Sequence, residues 1–322
     1  MNFPKPRIVV SKCIEFEHCR YNGNIISSDV VKMMKPHVEF ITVCPEVEIG
    51  LGVPREPIRL VGDESQNRLM QPSTGLDVTE NMADFADNFL GGLPAVDGFL
   101  LKSSSPSCGP QQVKIYPSIE KVPSLGKNGV GHFAMAVREK FSSNAIEDEG
   151  RLTNFTIREN YFSRIFTIAA FRETTAKGQM ADLVDFHSRY KLLLLAQNQE
   201  KMRELGRITA NSEKKPVAEL IDEYRNVLVT TFREPPSAGS NVNVLQHAFG
   251  YFKNSVSKEE KAYFIDTLDK YVEGRIPLSV PVGIVRSFIV RFGEDYLAQQ
   301  AFFEPYPIEL VAISDSGKGR EL

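Results

Sequence analysis

Tryptophan is absent from the 322 residues, and cysteine occurs only four times. The first absence removes the side chain best suited to stacking on a nucleic-acid base, leaving Tyr and Phe for that task. Four cysteines in a chain this long do not make a disulfide framework, and no Cys-x-x-Cys knuckle pairs them as a closed zinc site usually requires. Long apolar runs are also missing. The opening MNFPKPRIVV holds no apolar stretch of signal length, and Leu192–Ala196 is far too short to span a bilayer, so a cytoplasmic location with reduced thiols is expected. The net charge of −3 suggests neither a membrane nor a nucleic acid as partner. Its distribution is uneven. Residues 1–150 carry 15 Lys+Arg against 19 Asp+Glu, whereas residues 151–233 carry 14 against 10. That second excess reads first as solvated helix faces and is compatible with RNA binding.

Three apolar runs, far apart in the chain, finish in a cysteine. They are Arg7–Val10 leading to Cys13, Val38–Val43 leading to Cys44, and Phe99–Leu101 leading through Lys102 and a serine cluster to Cys108. Buried strands of a parallel sheet have this unbroken apolar character. Parallel strands align their carboxyl ends along one edge, where open α/β sheets bind ligands, so the three thiols are expected to meet there. A single cysteine is more often a small buried hydrophobe. Three at one structural position point to a shared site.

Helical patterns alternate with these runs. Ser28–Lys35 is a short helix capped by Ser27 or Ser28 and stopped by Pro36; Thr79–Leu90 repeats Met82, Phe85 and Phe89 and stops at Gly91-Gly92. The result is β, helix, β, helix, β. Between them, Pro45 to Leu60 is expected to be a rigid, non-helical loop, in which Arg55 and Arg59 either bind an anion or pair with Glu48 and Glu56. Gly126, Gly129 and Gly131 precede a helix with the apolar face Phe133, Val137 and Phe141. They match neither the dinucleotide nor the P-loop pattern and read as a turn.

Asn144–Gly150 is polar and acidic, and the domain boundary is placed there: an α/β domain with an open, mostly parallel sheet over 1–150, then an all-α domain over 151–322. One helix face is traced by Ile157, Tyr161, Phe162, Ile165, Phe166 and Ala169. Another is traced by Leu183, Val184, Phe186, His187, Tyr190, Leu193 and Leu194. Pro216 opens a helix carrying Leu220, Ile221, Tyr224, Leu228 and Phe232, and Ser257 with Glu260 forms a capping box. His187, Arg189 and Lys191 either contact phosphate or are a core-facing histidine beside solvated charge; Ser314–Leu322 reads as a frayed tail.

Three cysteines without a fourth leave a coordination position open, which a metal centre needs if it is to bind a substrate. Glu46, two residues after Cys44, and the serines before Cys108 stand where they can transfer protons. Cys19 follows a turn and not an apolar run, so it is left outside the ligand set. Two other readings remain open: an RNA-binding or regulatory protein whose cluster only senses iron or oxygen, and a zinc-stabilised module with structural thiols.

The wording of these motifs is informative. Cys13, Arg20-Tyr21-Asn22-Gly23, Cys44-Pro45-Glu46, Gly50-Leu51-Gly52-Val53-Pro54-Arg55-Glu56-Pro57, Lys102-Ser103, Ser105-Pro106-Ser107-Cys108-Gly109 and Glu147-Asp148-Glu149-Gly150-Arg151-Leu152 together resemble the thiouracil desulfidase family. Phe186-His187-Ser188-Arg189-Tyr190-Lys191, Arg203-Glu204-Leu205-Gly206 and Tyr251-Phe252-Lys253 resemble the helical YbgA-like domain often fused behind it. The resemblance implies a [4Fe-4S] cluster on Cys13, Cys44 and Cys108, with Glu46 and Ser105 as the acid/base pair. It also implies hydrolysis of a thiocarbonyl to a carbonyl without net redox change. Fused members are similar to tRNA desulfidases that convert 4-thiouridine to uridine, with the helical domain helping to hold the tRNA. One segment departs from the family pattern: Ile14–Cys19 replaces its usual short turn.

Overall fold

The computed structural model describes residues 3–312, so the expected tail at Ser314–Leu322 lies outside the described residues. Two compact units are distinguished, Pro4–Tyr161 with the segment from Glu309, and Phe162–Ile308 with Phe3.

The first unit is built on a four-stranded parallel sheet, β1 (Arg7–Ser11), β2 (Glu39–Val43), β6 (Gly98–Leu101) and β9 (Ala145–Asp148), in the order β2-β1-β6-β9. Ile8, Val9 and Val10 of β1 and Phe99, Leu100 and Leu101 of β6 are fully buried, as an apolar run covered on both faces must be. Register sets Ser11 opposite Val43 and Val10 opposite Leu100, so the strands end level at one edge. The acidic stretch at which the domain boundary is placed thus supplies the fourth strand, with Ala145 inside and Glu147 and Asp148 at that same edge.

A second sheet was not visible in the sequence pattern. It runs β5-β4-β3-β7-β8, from β3 (Arg59–Gly62), β4 (Asn67–Gln71), β5 (Leu76–Asp77), β7 (Val113–Tyr116) and β8 (Gly126–Gly129), with only the β3–β7 pair parallel. Two expectations change here. Arg59 and Leu60 begin a strand, and Gly126–Gly129 is a strand whose last glycine lies against Ile115 and the Val113 carbonyl, leaving no room for a Cβ. The two sheets share a core with α3 (Thr79–Gly91) and α4 (His132–Lys140), in which Leu60, Leu69, Val113 and Ile115 meet Val9, Phe99, Met82, Phe133 and Val137. The short helix α1 (Asp29–Met34) is capped by Ser28, whose hydroxyl accepts from the Val31 amide.

The second unit is helical, containing most of α5 (Phe155–Thr174), then α6 (Met180–Gln197), α7 (Gln199–Ala210), α8 (Val217–Thr231), α9 (Ala238–Phe249), α10 (Lys258–Val272), α11 (Ser279–Phe292) and α12 (Asp295–Ala298). The Ser257–Glu260 capping box is formed at the start of α10, and Leu220, Tyr224, Leu228 and Phe232 are buried along α8. Val184 departs from the expected α6 face and is exposed. His187 is half-buried against Tyr224, its Nδ1 3.0 Å from the phenol oxygen, while Arg189 pairs with Asp185. Among the described residues, no helix is long and apolar enough to cross a membrane.

Candidate functional site

The level carboxyl ends of β1, β2 and β6 form the floor of a cavity of about 440 Å³. Cys13, Cys44 and Cys108 line it together with Glu46 and Ser105, so these five candidates reach one place. Cys19 lies there as well. The Cys44 thiol donates to the Cys19 carbonyl at 3.7 Å. All four cysteines are buried and none is in a disulfide.

The loop after Cys44 is not free of helix. Pro45–Glu48 makes one turn, α2, with Cys44 as its N-cap and proline at the first position, where its fixed φ fits and its missing N–H is no loss. That turn carries Glu46 back over the strand ends. Glu46 is clamped there by Arg55, whose Nε and Nη2 lie 2.8 and 2.7 Å from Oε2. The Arg55 Nη1 spans the Cys19 and Gly52 carbonyls at 3.0 and 2.9 Å. Arg55 therefore pairs with neither Glu48 nor Glu56, and Arg59 instead stacks over the Tyr116 ring at 4.7 Å.

With Oε2 taken by arginine, Oε1 accepts from Ser107 Oγ at 2.5 Å. Ser107 in turn lies 3.0 Å from Ser105 Oγ. A hydroxyl has one proton to give. Because Ser107 gives its proton to the carboxylate, the shared hydrogen bond must use the proton of Ser105, and Ser105 Oγ accepts from the amides of Ser107 and Cys108. The three side chains form a directed line, Ser105 to Ser107 to Glu46. Ser107 was missed in the sequence; its only signal is a serine directly before a strand-end cysteine.

Two glycines hold this loop. A Cβ on Gly131 would fall 2.5 Å from the Ser107 carbonyl oxygen, and one on Gly109 would fall 2.7 Å from that of Ser105. The close approach lets the amides of His132 and Ala134, otherwise unpaired at the start of α4, donate to the carbonyls of Pro106 and Ser107. At the other end, the Glu149 carboxylate accepts from the Ser103 amide and hydroxyl and pairs with Lys102.

Cys19, Cys44 and Cys108 are kept neutral. Burial pushes Cys108 up to about 12, although Ser11 opposes the rise. The hydrogen bond with Cys13, helped by burial, raises Cys19 to about 11. The Cys19 contact and burial together push Cys44 up as well. Thiols of this kind are poor nucleophiles but become metal ligands when a cation displaces their protons.

His18 stays outside this cavity, on an exposed turn beside the Gly23 carbonyl.

Comparison with known proteins finds two family matches. The family described as 2-thiouracil desulfurase matches residues 8–149, and a protein family of unknown function, DUF1722, matches residues 191–307. The uncharacterized protein YbgA of Escherichia coli K12 is 30% identical over 156 residues, 48% of this chain and 92% of its own. The uncharacterized protein YbbK of Bacillus subtilis 168 is 31% identical over 109 residues, 32% of this chain and 72% of its own. A solved structure of TudS, titled a [4Fe-4S]-dependent thiouracil desulfidase, shares 29% identity and covers 46% of this chain and 93% of its own, with a TM-score of 0.36. The chain thus belongs to the 2-thiouracil desulfurase family through its α/β part and, through its helical part, to the DUF1722 family.

Proposed function

We propose that this protein is a desulfidase that hydrolyses the C=S carbon of a thiolated uracil to C=O and releases sulfide, without net redox change. The observation that carries the reading is the directed Ser105–Ser107–Glu46 line in the wall of a cavity gathering buried thiols. A cluster that only sensed iron or oxygen would have no use for such a line.

The donor set fits an iron–sulfur cluster. Cys13, Cys44 and Cys108 come from the ends of three adjacent strands, and among the described residues no group of three or more His, Cys, Asp or Glu is arranged to hold a single metal ion. Soft thiolate ligands suit an iron–sulfur group, and a [4Fe-4S] cluster on Cys13, Cys44 and Cys108 would offer one iron as a soft Lewis acid for the thiocarbonyl sulfur.

The protein's own part is proton transfer. A water attacking the former C=S carbon gives its proton to Ser105 as the Ser105 proton passes to Ser107 and the Ser107 proton to Glu46. The same line run backwards returns a proton to the ring nitrogen or the departing sulfur. Arg55 keeps Oε2 occupied, so that Oε1 stays aimed at Ser107. The finer reading is a 4-thiouridine presented within tRNA, in the cytoplasm. Its support is the basic excess of residues 151–233, where Arg189 and Lys191 stand on α6.

The test is anaerobic purification with iron and acid-labile sulfide analysis, then incubation with 2-thiouracil, 4-thiouridine and thiolated tRNA while sulfide release is measured. Glu46→Gln and Ser105→Ala should keep the iron, bind the substrate and lose about a hundredfold or more in turnover. Near-normal turnover in both variants overturns the assignment.

A further inference from the structure

Cys19 has no part in the line of hydroxyls and is not one of the strand-end thiols, yet it is built into the site. It is 1% exposed and lines the same cavity as the other three cysteines. That cavity mixes apolar side chains, Val43, Pro57 and Ile58 among them, with thiols, hydroxyls and charge. Cys13, Cys44, Cys108, Arg55 and the serine loop line it together with Cys19, and the Cys44 thiol donates to the Cys19 carbonyl at 3.7 Å.

The segment that delivers Cys19 is pinned at both ends. The Ile26 amide donates to the Cys13 carbonyl and the Glu15 amide to the Ile26 carbonyl, while Arg55 donates to the Cys19 carbonyl and its own amide to the Tyr21 carbonyl. The backbone is held, and the thiol at the end of one rotatable bond is free to choose between neighbours.

We propose that Cys19 is a fourth, exchangeable sulfur ligand, occupying the coordination position that Cys13, Cys44 and Cys108 leave open while no substrate is bound. This rests on the cluster reading of the same cavity. A thiol tethered in the cavity competes at an effective concentration in the millimolar range or above, whereas the substrate must arrive from solution. Exchange is balanced without redox chemistry: one iron–sulfur bond to Cys19 breaks, one to the incoming sulfur forms, and the released thiolate takes a proton from solvent. Between turnovers Cys19 keeps that iron from being lost.

The experiment uses the full-length protein, purified anaerobically, as wild type, Cys19→Ser and Cys19→Ala, with circular dichroism to confirm folding. Each sample is assayed for iron, treated with one equivalent of ferricyanide, and examined by electron paramagnetic resonance for a three-iron cluster. Wild type should retain four irons, and both variants should start with four and convert to the three-iron form. Titration with hydrosulfide, followed by absorbance, should show about tenfold or tighter binding in the variants, because the internal competitor is gone. Equal iron loss and equal hydrosulfide affinity in all three proteins overturn the role of Cys19 and leave the cluster reading intact. A wild-type protein without iron overturns both.

Discussion

Replacing Arg55 by methionine removes a guanidinium whose side chain is 4% exposed from a carboxylate that is 13% exposed. Four polar contacts are lost, two to Glu46 Oε2 and one each to the carbonyls of Cys19 and Gly52. Breaking one half of a buried pair typically costs about 3–5 kcal/mol, because the remaining charge is left uncompensated. Against a total domain stability of roughly 5–15 kcal/mol, that is a large fraction. The Cys19 carbonyl retains the Cys44 thiol, so its own share of the loss is small. The informative comparison is the double variant Arg55→Met with Glu46→Met, in which no charge is stranded and apolar side chains of similar volume fill the site. Its loss should be within about 2 kcal/mol of wild type, far below the sum of the two single losses. Urea unfolding followed by circular dichroism suits a protein without tryptophan, and it is done iron-free under reducing conditions so that cluster loss does not enter. A cost below about 1 kcal/mol for Arg55→Met, or a double variant as unstable as the summed singles, refutes the claim that this pair is a buried, mutually dependent clamp.

Ser107→Ala should lower kcat about a hundredfold while leaving KM and iron content unchanged, since Ser107 carries protons and holds nothing else in the cavity; unchanged kcat on direct assay removes it from the line. Cys13→Ser, Cys44→Ser and Cys108→Ser should each abolish the visible iron–sulfur absorbance, whereas Cys19→Ser should retain it. Gly131→Ala forces a methyl against the Ser107 carbonyl oxygen and should cost about 1–3 kcal/mol in thermal or urea unfolding, together with activity. Burial, with Lys191 adding to it, lowers His187 from 6.5 to about 4, so the neutral ring is the folded form. Its stabilisation is present above pH 6.5 and is lost as the pH falls through 4, amounting to up to about 3 kcal/mol at 1.36 kcal/mol per unit. His187→Gln should flatten that stretch of the stability–pH curve. If tRNA is the substrate carrier, affinity should fall steeply with salt, and neutralising Arg189 and Lys191 should reduce the slope by about one per lost phosphate contact.

The parallel sheet was legible because buried strands need continuous apolar runs, and β1 and β6 supply them at the cysteines. The second sheet was not, because β4 reads Asn-Arg-Leu-Met-Gln and β8 is half glycine, so neither shows an apolar face. The acidic strand β9 was masked in the same way: its polar residues belong to the site edge, and Ala145 and Ile146 alone mark the interior. Within the site, sequence proximity to a cysteine found Glu46 and Ser105. It could not find the use of Ser107, which depends on a partner 61 residues away, nor the choice of Arg55 for Glu46 over the nearer Glu56. No strand leads to Cys19, and only the folded turn brings it into the cavity with Cys13 and Cys44.

Because β1, β2, β6 and β9 all run the same way, each connection entering a strand lies at the edge remote from the cavity. The links at 35–38, 92–97 and 141–144 are therefore natural docking points for engineering: an affinity tag, a fluorophore or a whole guest domain inserted there would extend the molecule away from its chemistry. The exits from those strands have no such latitude.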